Sequence, residues 1–187
     1  VTSLAGAELR VDDWGLDFAF AGTQKCLALP PGLGVYAVSD RALEQARSVE
    51  ERGFLFDMVK AVPDTVSGKP TATPCVPLVY ALQRQLQRIH EEGLERRWRR
   101  HMEMQGQTLR WAEGRGYAPL VEDAARRSPT ISCIHANGAD VEALAEKAAG
   151  AGFKMDKGYG DLKGKAFRVG HMGDHDMERL ESFLASL

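Results

Sequence analysis

Three neighbouring residues, Thr23, Gln24 and Lys25, bring a hydroxyl, an amide and a primary amine to one point of the chain. They interrupt two apolar runs, "DFAFAG" before and "LGVYAVS" after, with Pro30, Pro31 and Gly32 as turn residues between them. A lysine in an apolar surround loses solvation, which lowers its pKa and leaves a free amine able to condense with an aldehyde as a Schiff base. Thr23 and Gln24 carry groups suited to phosphate oxygens. The plain alternative is a lysine that snorkels from an edge strand to water.

Other residues offer less on their own. Thr73 precedes Pro74 and reads either as a turn residue or as a hydroxyl ligand. Arg168, between Phe167 and Val169, reads either as a strand arginine facing solvent or as a planar fork that pairs both oxygens of a carboxylate. Arg96, Arg97, Arg99 and Arg100 surround Trp98, a pattern that suggests nucleic acid but is read here as a solvated helix face. His171, Asp174 and His175 have the types of a metal cluster, yet Gly173 makes the segment a turn and Asp174 reads as the N-cap of a closing helix. Cys26 and Cys133 are expected as small buried hydrophobes.

These groups need elements to position them. The 187 residues are 44% hydrophobic, enough for a real core. "DFAFAG" and "LGVYAVS" are expected as buried strands joined by the Lys25 loop, followed by a helix over "DRALEQARSVEER". Residues 61–77 hold four prolines and are expected to form neither regular helix nor central strand. From Val79, apolar residues at helical spacing run through Leu94 and Leu109 until Gly114 and Gly116, predicting a long linking helix. Then follow "YAPLV" and "TISCIHA" as strands, "DVEALAEKAAGAG" as a helix capped by Asp140, "AFRVGHM" as a strand and "DHDMERLESFLASL" as the last helix.

Charge narrows the function classes. Lys plus Arg number 24 against 26 Asp plus Glu, a formal net charge of -2, so nucleic acid and anionic membrane surfaces are not expected partners. The three cysteines, Cys26, Cys75 and Cys133, form no CxxC pair, which argues against disulfides or structural zinc and fits a reducing cytoplasm. No apolar run reaches the ~18 residues of a membrane span, and Val1 opens no signal-peptide pattern. "VTSLAGAELRVDDWGLDFAF" begins as though a strand were already running, so a fragment is expected.

The residues now carry a resemblance. "FAFAGTQKCLALPPGLGVYAVSDRA" resembles the cofactor-lysine segment of the class V aminotransferases, in the fold-type I group of pyridoxal-phosphate enzymes. "PTATPCVPLVYALQRQL" is similar to that family's Thr-x-Pro loop entering a helix, and "GYGDLKGKAFRVGHMGD" to its C-terminal Arg-Ile-Gly-x-Met-Gly strand. The serine–pyruvate, alanine–glyoxylate and related aspartate branches look closest. The resemblance implies an α/β fold: residues 1–92 as the end of a large cofactor-binding domain with its linking helix, and residues 93–187 as a small C-terminal α+β domain. It implies pyridoxal 5'-phosphate held by Lys25, with Gln24 and Thr23 near the phosphate, and a homodimer in which Thr73 reaches the phosphate of the neighbouring subunit. Arg168 would bind the substrate carboxylate. The implied reaction is amino transfer between a small amino acid (alanine, serine or aspartate) and a 2-oxo acid (glyoxylate or pyruvate). The family places an acidic partner for the pyridine nitrogen, a ring-stacking aromatic and a phosphate loop upstream of where Val1 stands, so these residues alone are expected to be inactive. Another fold-type I reaction, a lyase or desulfurase, and a non-catalytic dimerisation piece are the alternatives.

Overall fold

A computed structural model describes residues 1–187. Strands β1 (Phe18–Gly22) and β2 (Gly34–Val38) form an antiparallel hairpin in which Phe18 faces Val38 and Gly22 faces Gly34. The two strands lie where the alternating apolar runs place them, but they are not buried: Phe18, Phe20 and Tyr36 are exposed and stack against one another across the hairpin.

Helix α1 (Asp40–Arg47) is capped by the Ser39 hydroxyl, which accepts from Ala42 N–H. It stops short of the expected Arg52 because the Ser48 hydroxyl donates back to the Gln45 carbonyl, a local bond that competes with helix continuation. Helix α2 (Met58–Val66) overturns the expectation of irregular chain over 61–77, since it runs through Pro63. Asp57 caps it, accepting from Val59 N–H at 3.1 Å, and proline's fixed φ is itself helical, so the price is one backbone bond in a short surface helix. Pro77 opens helix α3 (Val76–Glu92), where the missing N–H would have had no partner.

The long linking helix is in fact two. Gly93 has φ 84°, ψ 130°, a backbone state that side-chain-bearing residues avoid, and it separates α3 from α4 (Leu94–Gly114). Strand β3 shrinks to Ala118–Pro119 because Pro119 has no N–H for the ladder. It pairs antiparallel with β4 (Ile131–His135), which pairs antiparallel with β5 (Ala166–Gly170), setting Cys133 opposite Arg168. Helix α5 (Val141–Gly150) lies between β4 and β5 in sequence and is capped by Asp140 as expected. Helix α6 (Met177–Ala185) is capped by Asp176, which accepts from Arg179 N–H at 2.8 Å, and not by Asp174.

The main core, from Met104 and Ala112 of α4 through Ile134, Phe167 and Val169 of the sheet to Leu180 and Leu184 of α6, lies wholly in the second half of the chain. Cys26 is buried as expected, whereas Cys133 is half-buried and Cys75 exposed. No helix is long and apolar enough to cross a membrane.

Candidate active site

The loop between β1 and β2 is built around Thr23. Its N–H donates to the Leu33 carbonyl at 3.1 Å, its carbonyl accepts from Leu29 N–H at 3.0 Å, and its hydroxyl donates to the Pro30 carbonyl at 2.9 Å. Thr23 is fully buried, so its hydroxyl proton is spent on holding the loop closed. A turn in which Ala28 N–H donates to the Lys25 carbonyl at 2.8 Å completes the loop, and Ala28 takes the left-handed conformation at φ 55°. Cys26 and Leu27 point inward; a side chain on Gly6 would run into the Cys26 sulfur at 2.7 Å. The Cys26 thiol is pushed up by burial and takes no charge at neutral pH.

Gln24 and Lys25 stand at the exposed edge of this pinned loop. The Gln24 amide folds back over Gly22, where the missing Cβ leaves it room. Lys25 Nζ makes no ion pair or hydrogen bond within the chain, leaving an amine free for an external group. Thr73 is exposed in the segment entering α3.

Arg168 sits on β5 with its neighbours Phe167 and Val169 buried on the opposite face. Asp156 takes its Nε at 2.8 Å and its Nη2 at 2.5 Å, leaving Nη1 without a partner. The Arg168 hydrogen bonds hold the Asp156 carboxyl below the usual carboxylate range, and Asp156 in turn raises the guanidinium. Arg168 borders two cavities, one of about 330 Å³ with His175 and Arg179 and one of about 240 Å³ with Gln105 and Cys133; Lys25 lines neither.

What links the Lys25 and Arg168 segments is a polar cluster centred on Arg97, one of the four arginines whose spacing around Trp98 suggests a solvated face. Arg97 is only 2% exposed. It donates from Nη1 to Glu92 at 2.7 Å, and from Nη2 both to the Cys26 carbonyl at 3.0 Å and to Asp174 at 2.9 Å. Gln85 donates to both Asp174 oxygens at 2.9 and 3.0 Å, and Arg88 lies 3.2 Å from one of them. Arg100 donates to Glu92 at 2.7 Å and to the Gly173 carbonyl at 3.1 Å. Burial alone would raise the Asp174 and Glu92 carboxyls, but their arginine and glutamine donors outweigh it and hold both low. His101 is fully buried, with Nδ1 against the Arg97 carbonyl at 2.7 Å and Nε2 accepting from Gly173 N–H at 3.0 Å; burial keeps it neutral. A signal was present in the spacing: Arg97 and His101 fall on the same stripe of α4 as the buried Met104, Thr108 and Ala112. His171, expected as part of a turn with metal-like spacing, is instead fully buried with Nε2 3.0 Å from the Ser132 hydroxyl.

Residues 1–159 match the family described as Aminotransferase class-V. The chain is 33% identical over its whole length to half of the soluble hydrogenase small subunit of Synechococcus sp.. It is 32% identical, over 93% of its length, to 45% of the serine–glyoxylate aminotransferase of Methylorubrum extorquens. It superimposes on the crystal structure of the alanine–glyoxylate aminotransferase of Nostoc sp. with a TM-score of 0.89 and 30% identity, covering all of this chain and 51% of that one. The chain thus spans about half the length of the curated relatives it matches.

Proposed function

Because the chain belongs to the class V aminotransferases, we propose that the full-length protein moves an amino group between a small amino acid (alanine, serine or aspartate) and a 2-oxo acid (glyoxylate or pyruvate), using pyridoxal 5'-phosphate. The observation that carries this reading is the unpartnered amine of Lys25 at the edge of a loop pinned by Thr23. The residues present fit the cofactor: Lys25 would hold it through the amine, the exposed Gln24 amide would serve its phosphate, and Thr73 at the entry to α3 would serve the phosphate of the neighbouring subunit. Thr23 shapes the loop from below, its hydroxyl being committed to Pro30.

When bound, the cofactor supplies an aldehyde for the amine and a ring that withdraws electrons from the substrate. Once the substrate's own amine takes its place on the cofactor, Lys25 Nζ would be free to work as base, taking the proton from the substrate α-carbon, and then as acid, giving it up elsewhere; the pinned loop would keep the amine within reach of that α-carbon. Arg168 Nη1, left free by Asp156, grips the substrate carboxylate and orients the α-carbon. In this reading residues 1–92 close the large domain, residues 93–187 form the small one, two copies share their sites, and the protein works in the cytoplasm, to which its free cysteines are suited.

The test is a panel of amino acids and 2-oxo acids offered to the full-length protein, followed by visible absorbance and by product 2-oxo acid. Exchange with alanine, serine or aspartate as donor is expected. No exchange with any pair, at full cofactor loading, overturns the assignment.

A further inference from the structure

A lysine that works at one atom needs its backbone held still, and here the residue after it is held from α4. The Cys26 carbonyl accepts from Arg97 Nη2, and the same nitrogen donates to Asp174, in the turn that leads from β5 to α6. Asp174 lies six residues beyond Arg168 along the chain, so one guanidinium joins the Lys25 loop to the segment that carries the carboxylate anchor. Two further contacts close the joint. Gly173 N–H donates to His101 on α4 at 3.0 Å, and a Cβ on Gly173 would come within 3.0 Å of Ala28 Cβ and 3.4 Å of the Lys25 carbonyl. The turn and the lysine loop are therefore in direct contact, both bound to one buried point on α4.

We propose that Arg97 and Asp174 are positioning residues for Lys25, setting the separation between the amine of Lys25 and the guanidinium of Arg168. This rests on the transaminase reading for its catalytic consequence and on the geometry alone for its mechanical one. A lysine cannot stand in for Arg97, because its ammonium is a single point, whereas the guanidinium spreads donors to Glu92 at one end and to Cys26 and Asp174 at the other. Asp174 likewise acts through its carboxylate, whose two oxygens accept from Gln85 on α3 and from Arg97 on α4 together.

The experiment compares R97Q, R97K and D174N with R96Q, a change at an exposed neighbour on the same helix, all in the full-length protein. Amide hydrogen exchange is read first, without cofactor. Residues 25–29 and 171–174 are expected to exchange about tenfold faster or more in R97Q and D174N, with β4 and α5 unchanged. On the loaded enzyme, kcat per bound cofactor is expected to fall roughly 10- to 100-fold with KM for the amino acid moved less than about threefold, and R97K is expected to fail as a rescue. Should R97Q not fold, D174N, which keeps size and shape, decides. Unchanged exchange at 25–29, or exchange raised evenly across the chain with kcat per bound cofactor intact, overturns the proposal. A wild-type protein without transaminase activity would sink the functional reading alone, because the exchange measurement does not depend on it.

Discussion

Gln24 and Lys25 stand exposed on their loop, while the residues on either side of them, Thr23 and Cys26, are fully buried. This division separates what holds the loop from the amine that the proposed function makes reactive. Lys25→Ala should therefore leave the fold unchanged and abolish borohydride-trappable cofactor in the full-length protein, read by mass spectrometry of the reduced adduct; trapping at a different lysine would move the reactive amine elsewhere. Arg168 is different because it already has a carboxylate partner. Asp156 occupies one edge of the guanidinium and fixes its direction, so under the proposed function a substrate carboxylate would meet an oriented but partly hydrated cation. Removing one partner of a charge pair made on binding costs roughly 2–5 kcal/mol, and the solvent exposure of Arg168 favours the lower end. Arg168→Ala is expected to lower kcat/KM for amino acids by roughly tens to hundreds of fold at ~1.4 kcal/mol per decade, with cofactor binding retained. A value within about threefold of wild type would leave Arg168 as a surface residue and require another anchor.

Helices α3 and α4 show how a single residue changes the work of an element. Continuous helical spacing from Val79 to Leu109 predicts one rod, yet Gly93 breaks it and lets Glu92 turn back to take both Arg97 and Arg100. The same break faces Gln85 and Arg97 toward one Asp174 oxygen pair from two different helices. Gly93→Ala forces a side chain into φ 84°, a strain of about 1–3 kcal/mol, and favours a fused helix that pulls Glu92 from its arginines. Thermal unfolding of the full-length variant should drop by several degrees; an unchanged midpoint would mean that the break carries no stability. Pro63 teaches the opposite lesson, since a proline inside α2 is tolerated where the helix is short, exposed and well capped by Asp57.

For the molecule as a whole, buried histidines set an acid limit. Burial pushes His171 down to about 4 from an ordinary 6.5, and His101, once acid protonates it, pushes the same way. The unfolded chain binds that proton at higher pH than the folded one, so the stability from keeping His171 neutral is complete above about 6.5 and is lost as pH falls toward 4. At ~1.4 kcal/mol per pH unit the full loss is about 3 kcal/mol, and burial of His101 adds in the same direction. Melting temperature should fall steadily between pH 6.5 and pH 4, and His171→Gln should flatten that slope; a slope unchanged in the variant would remove His171 as a cause. Sharing of sites between two copies is tested by mixing Lys25→Ala and Thr73→Ala subunits. If Thr73 serves the neighbour's site, one site of each mixed dimer carries neither lesion and activity partly returns. No return after verified subunit exchange would confine Thr73 to its own subunit.

The sequence by itself determined the elements whose cause is local. Alternating apolar residues placed β1, β2, β4 and β5, Asp140 capped α5, and the run Thr23-Gln24-Lys25 marked the loop between two strands. Local pattern also sufficed for the family, because its motifs are contiguous. Only the tertiary structure decided which charges are buried. Arg97 looks like its neighbours Arg96, Arg99 and Arg100 until α4 packs against the β5–α6 turn, and Asp174 looks like a helix cap until Gln85, Arg88 and Arg97 converge on it. Such pairs join residues dozens of positions apart, and a charge reveals nothing of its partner until folding removes the water that would otherwise solvate both.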